Sequence, residues 1–169
     1  MAGSLAAIAQ PGDVLVLSGG FGAGKTTFTQ GFVAALGIAE PVTSPTFAIL
    51  AHYEGQPCAR LRLVNHLDVY RLATLDEAEA LGLDELLDGD AVTLIEWGED
   101  IEALLPLDRV TVTMEPARLD EVAVGDDALD HRRIAISLAG RVREREPLLR
   151  AALETADASD DVVWPGQPC

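Results

Sequence analysis

Gly19-Gly20-Phe21-Gly22-Ala23-Gly24-Lys25-Thr26 is the stretch on which the fold turns. It fits G-x-x-x-x-G-K-[ST], a phosphate-binding loop, and its flanks supply the context that pattern needs. Val14 to Leu17 before it is an unbroken apolar run, which suits a strand buried on both faces. After it, Phe28, Phe32, Ala35 and Leu36 recur at helical spacing along Lys25 to Leu36, and Gly37 supplies a stop. Strand, glycine-rich loop and helix in that order build a phosphate cradle. Glycines let the backbone curl and approach closely, while the helix N-terminus adds unpaired N–H donors and a positive dipole end. Lys25 can reach the β- and γ-phosphates as a compact charge, and the Thr26 hydroxyl suits Mg²⁺. The chain has 12 basic residues, and Lys25 is its one lysine among arginines. A composition that uses arginine elsewhere keeps a lysine where a compact ammonium is useful.

Outward from the loop, Ser4 to Gln10 reads as the end of a helix and Pro11-Gly12-Asp13 as a turn. Thr46 to Tyr53 and Ala59 to Leu67 read as two strands, and Glu54-Gly55 between them makes an antiparallel hairpin. Leu75 to Leu87 has helical spacing. Ala91 to Ile95 is a second buried-type strand, followed by a short helix over Glu99 to Leu105. Val110 to Met114 and Arg133 to Leu138 read as strands joined by an acidic loop, in which Glu121 to Val124 is a further candidate for pairing. Arg143 to Leu153 reads as a helix. The expectation is an α/β fold with a mixed central sheet, antiparallel hairpin included, flanked by helices. One domain is expected over residues 1–155, with an acidic, disordered tail over 156–169.

The chain's 169 residues suffice for a core, and 49% hydrophobic content argues against general disorder. A formal net charge of −16 argues against gripping nucleic acid or an anionic membrane by charge. The charge is uneven: Leu72 to Leu107 holds 11 acids and no basic residue, whereas Arg132 to Arg150 holds six arginines. Solvated helix faces account for both, and the alternative is a partner-facing surface of one sign. Two cysteines, Cys58 and Cys169, make no disulfide framework, so a reducing, cytoplasmic compartment is expected. Met1 to Gln10 lacks the basic start of a signal peptide, and no apolar run approaches the ~20 residues that span a bilayer.

A nucleotide site needs an acid for the metal and a group to orient the attacking species. Strand ends are the place to look, because open α/β sheets bind ligands at the carboxyl ends of their strands. Glu96 ends the Ala91–Ile95 strand and Asp68 ends the second hairpin strand. Asn65-His66-Leu67-Asp68 is a decoy for the guanine-reading N-K-x-D, and no D-x-x-G occurs, which removes a GTPase switch. A small-molecule kinase is the alternative enzyme, weakened by the lack of arginine between Leu72 and Leu107 for a phosphate-covering lid. A nucleotide-dependent binding module with incidental hydrolysis is the non-enzymatic alternative.

Four stretches together resemble the TsaE (YjeE) family, the P-loop ATPase of bacterial tRNA threonylcarbamoyladenosine biosynthesis. They are Ser18 to Phe32, Thr43-Ser44-Pro45-Thr46-Phe47, His66-Leu67-Asp68-Val69-Tyr70-Arg71-Leu72 and Ile95-Glu96-Trp97-Gly98-Glu99, within a match over about Pro11 to Leu138. The resemblance implies a P-loop fold with antiparallel strands. It implies that Gly22, Ala23, Gly24, Lys25, Thr26 and Thr27 bind ATP phosphates and that Thr26 and Glu96 hold Mg²⁺. It further implies that Lys25, Asp68 and Glu96 are needed for turnover. Thr43, Ser44, Pro45 and Thr46 would form a switch-like loop, and Trp97 would sit beside the nucleotide. The implied partners are TsaD, which transfers the threonylcarbamoyl group to adenosine 37 of tRNA, and TsaB, with ATP hydrolysis weak in their absence. No direct tRNA grip and no membrane association are expected.

The chain departs from the family in two places. Gly20-Phe21 stands where the family usually has Asp-Leu, with phosphate binding expected to survive and the docking face altered. Family members also carry extra residues ahead of the first strand that help to hold the adenine. Here Lys25 comes early, as in a truncated start, and Arg132 on the last strand is a candidate base contact.

Overall fold

A computed structural model describes residues 1–46, 48–57, 59–72, 74–117 and 131–157. Its centre is β1, Val14–Ser18, the apolar run before the glycine-rich loop. β1 pairs in parallel on one side with β4, Val92–Glu96, and on the other with β5, Val110–Pro116. The remaining strands are β2, Leu50–Glu54, β3, Leu63–Asp68, and β6, Arg132–Leu138. The six strands form one sheet in the order β2-β3-β4-β1-β5-β6. β3 continues the parallel set beside β4, and β2 and β6 close the two edges antiparallel. The mixed sheet and the hairpin are thus as the sequence implied.

Alternation along β1 explains why it needs an uninterrupted apolar run. Leu15 and Leu17 pack on the face that carries α1, Ala2–Ile8, and α2, Lys25–Ala35, with Leu5, Phe32 and Val33. Val14 and Val16 pack on the opposite face with Leu67, Ile95 and Ile101, beneath α3, Leu75–Ala80, and α4, Leu83–Leu87. Both faces are covered, so a polar residue at any of the four positions would be buried without water.

Several boundaries differ from the sequence reading, each for a local reason. The first hairpin strand begins at Leu50, not Thr46, because the Ile49 amide turns back to the Pro45 carbonyl at 2.6 Å and Ile49 has φ 67°. The second begins at Leu63, not Ala59, and the connection before it is closed by Gly55 N–H to Arg62 O at 2.8 Å. The helix expected over Leu75–Leu87 is two helices, broken where Gly82 takes the left-handed conformation at φ 69°. The helix expected at Glu99–Leu105 is a 3-10 helix over Gly98–Leu104. A 3-10 turn at Gly140–Arg145 precedes α5, Glu146–Asp157, whose second residue is Pro147, a residue tolerated only in a first turn. Residues 158–169 of the expected tail, Cys58, Cys169 and the Glu121–Val124 segment lie outside the described residues.

Arginines tie the chain's ends to the sheet. Arg145 donates twice to the Asp13 carboxylate at 2.6 Å and once to Ile8 O. Arg60 caps the C-terminal carbonyls of α1, donating to Ala6 O and Ala7 O at 2.9 Å and also to Ala9 O. Among the described residues, no helix is long and apolar enough to cross a membrane.

Candidate functional site

The loop between β1 and α2 opens a cleft of about 280 Å³ at the carboxyl ends of β1, β3 and β4. Gly22, Ala23, Gly24, Lys25, Thr26 and Thr27 all line it. Gly19 starts the loop at φ 148°, where a Cβ would stand 2.4 Å from the Met114 carbonyl oxygen of β5. Only glycine fits there, so the loop leaves the strand at an angle that a side chain would forbid. Gly24 is the N-cap of α2 and no side chain caps the helix, so its first-turn amides are available to an anion.

Lys25 is buried and folds back along the loop. Its Nζ donates to Gly19 O at 2.7 Å and to Gly20 O at 3.0 Å. The same Nζ lies 3.6 Å from the centre of the Trp97 ring. Burial lowers the ammonium's pKa from its ordinary value, and the nearby carboxylates of Glu96, Glu99 and Asp68 oppose that shift.

Glu96 and Asp68 stand at matching positions on neighbouring parallel strands, because the register pairs one directly with the other. Glu96 is 3% exposed and Asp68 is 4% exposed, so neither is a solvated surface acid. The Thr26 hydroxyl donates to Glu96 Oε1 at 2.8 Å. That bond uses the hydroxyl proton and leaves the oxygen lone pairs for a cation. His66 Nε2 lies 2.9 Å from the same carboxylate oxygen, inside the sheet. Asp68 Oδ2 accepts from Ser44 Oγ at 2.7 Å and from Thr46 Oγ1 at 2.9 Å, and Oδ1 accepts from the Tyr70 amide at 3.2 Å. Each Asp68 oxygen is therefore held, and the 43–46 loop is latched to β3 by two hydroxyls. Ser44 and Thr46 line the cleft, whereas Thr43 is exposed and Pro45 is buried.

The oxygen pair of Thr26 and Glu96 suits Mg²⁺, which takes one or two protein oxygens and fills its remaining positions with phosphate and water. Among the described residues there is no group of three or more His, Cys, Asp or Glu that would make an all-protein cage. That sparse donor set fits a cation that arrives with a phosphate ligand.

Two features of the site go beyond the sequence reading, which puts Trp97 beside the nucleotide but does not give its packing with Phe21 and Tyr70. Phe21, Tyr70 and Trp97 form an aromatic cluster at the mouth, with ring centroids 4.7, 4.9 and 5.1 Å apart. Phe21, the departure noted in the loop, is 73% exposed. Trp97 has φ 63°, a left-handed conformation uncommon for a bulky residue. His66 is the other part: alternation along β3 puts it on the same face as Asp68, two residues on, and that period was the available signal. Asn65 points its amide elsewhere, to His52 Nδ1 at 2.8 Å and Thr93 Oγ1 at 3.3 Å, so the decoy reading of Asn65–Asp68 stands. Arg132 reaches the loop from β6, donating to Gly22 O at 3.1 Å.

The family model described as threonylcarbamoyl adenosine biosynthesis protein TsaE matches residues 1–123. A Bacillus subtilis (strain 168) tRNA threonylcarbamoyladenosine biosynthesis protein TsaE is 46% identical over 127 residues, which are 75% of this chain and 77% of that protein. The Streptomyces coelicolor protein of the same name is 40% identical over 141 residues, covering 80% of this chain and 86% of its own. The crystal structure of Bacillus subtilis YdiB aligns with a TM-score of 0.67 at 38% identity, over 92% of this chain and 86% of that one. With the glycine-rich loop, the two strand-end acids and the mixed sheet in place, this chain belongs to the TsaE family.

Proposed function

We propose that this protein is a Mg²⁺-dependent ATPase of the cytoplasm that serves formation of N6-threonylcarbamoyladenosine at position 37 of tRNA by acting on the TsaB–TsaD pair. The observation that carries the reading is the Thr26–Glu96 hydrogen bond of 2.8 Å at the mouth of a phosphate-shaped loop. The family's role in tRNA threonylcarbamoyladenosine biosynthesis supports the pathway.

The residues divide the work of phosphoryl transfer to water. The amides of Gly22 to Thr27 hold the phosphates. Lys25 offsets charge on the β- and γ-phosphate oxygens. Thr26 and Glu96 would hold Mg²⁺, which when bound neutralises phosphate charge. Asp68 is fixed by Ser44, Thr46 and the Tyr70 amide and can accept a hydrogen bond from the attacking water, aligning it in line with the scissile bond. Phosphate leaves to solvent, and no phosphorylated acceptor forms.

ATP turnover, measured with and without TsaB–TsaD, tests this. A rise of tenfold or more with the pair corresponds to ~1.4 kcal/mol or more off the barrier. Lys25→Ala is expected to abolish turnover in both conditions. Full turnover in that variant, or phosphate appearing on a small-molecule acceptor, removes the assignment.

A further inference from the structure

We propose that His66 is a positioning residue that fixes the Glu96 carboxylate for metal binding, through a proton held on Nε2. The inference rests on the ATPase reading above and names a residue that the reading leaves without a task.

His66 lies wholly inside the sheet, 0% exposed, on β3 between Ala51 of β2 and Leu94 of β4. A buried histidine on a central strand needs a reason, because its ring nitrogens are polar and the apolar alternatives at that position are many. One nitrogen has a reason: Nε2 is 2.9 Å from Glu96 Oε1. The other, Nδ1, is buried with no hydrogen-bond partner among the described residues. That asymmetry assigns the tautomer. A proton on Nδ1 would leave a buried donor unmatched and turn a lone pair of Nε2 toward the carboxylate oxygen. A proton on Nε2 gives Glu96 a donor and leaves on Nδ1 only an acceptor, the cheaper atom to bury alone. The Tyr53 ring, its centroid 6.3 Å from that of His66, adds packing on the imidazole.

Glu96 Oε1 then accepts from two donors, His66 Nε2 at 2.9 Å and Thr26 Oγ1 at 2.8 Å. The two donors define the carboxylate's rotation, and Thr26 in turn keeps its lone pairs open. An outer residue that hydrogen-bonds a ligating carboxylate commonly carries 10–100-fold in metal affinity. The prediction is specific to the metal step, because His66 does not line the cleft and phosphate contacts come from the loop on the other side.

Two measurements decide it. ¹⁵N NMR of imidazole nitrogens in the nucleotide-free wild type is expected to show His66 protonated on Nε2, and protonation on Nδ1 overturns the proposal without any variant. Calorimetry then follows a non-hydrolysable ATP analogue with and without Mg²⁺. His66→Leu is expected to weaken Mg²⁺-dependent binding about tenfold, with metal-free binding of the analogue unchanged. His66→Gln, whose amide N–H can stand where Nε2 stands, is expected to recover most of the loss. Equal Mg²⁺ dependence in His66→Leu and wild type sinks the inference and leaves the ATPase reading intact. Equal loss of metal-free binding also sinks it, because it shows a structural role alone. A wild type that binds no analogue takes both readings down.

Discussion

Lys25 shows how a single residue carries two opposed pressures. An ammonium has three N–H donors, and here two go to loop carbonyls while Trp97 covers the charge from above. The group is buried at 5% exposure, and desolvation is the largest influence on its pKa, a downward one. A lysine whose pKa is lower in the folded state costs stability at neutral pH, because the unfolded chain holds the proton more tightly. Lys25→Met is therefore expected to raise the urea midpoint at pH 7 while abolishing turnover. The gap should close as pH rises toward 10.5, the ordinary lysine value, where wild type no longer holds the buried charge. A destabilised variant at pH 7 would show that the loop contacts outweigh burial. Lys25 itself was legible in the sequence, since spacing and context single it out. Its partner Trp97 was legible only through family resemblance, because no periodicity places an aromatic ring over a lysine 72 positions earlier, counting 97 − 25.

At the scale of elements, the motif and its flanks were readable because each is local. β1 ends where Ser18 meets the glycines, and α2 begins at Lys25, one residue after Gly24 takes φ 104°. What escaped were breaks that depend on one torsion. The periodic Leu75–Leu87 stretch satisfies a helix pattern throughout, yet Gly82 at φ 69° divides it. A Cβ at Gly82 would meet only Glu85 Oε2 at 3.9 Å, so Gly82→Ala tests torsion without a clash. The expected cost is about 1–2 kcal/mol in urea unfolding, the penalty of a left-handed non-glycine residue. No cost would mean that α3 and α4 refold as the single helix that the pattern implied. The hairpin shortened for a similar reason, as the Ile49 N–H turns back to Pro45 O and the strand starts at Leu50 instead of Thr46. That same turn brings Ser44 and Thr46 to Asp68, so the part of the pattern that failed is the part that builds the site.

Across the whole molecule, long-range polar ties hold the chain's first turn to its last helices. Arg145 and Asp13, 13% and 10% exposed at their side chains, form a two-pronged pair that joins the turn before β1 to the segment leading into α5. Removing one partner leaves a nearly buried charge alone, so Arg145→Ala is expected to cost about 3 kcal/mol in chemical denaturation. A loss under 1 kcal/mol would class it with exposed pairs. This tie was not legible, because 132 positions separate its partners and charge patterning reads only neighbours. The strand order has one more consequence. Asp68 and Glu96 stand on β3 and β4, to one side of β1, whereas Arg132 touches the loop from β6, on the other. On the ATPase reading proposed above, a triphosphate with its terminal group toward Thr26 and Glu96 would have the acids on one side of the loop and Arg132 on the other. The sheet thus gives the cleft two flanks, the strand-end acids on one and Arg132 on the other, with the loop as the fixed point between them.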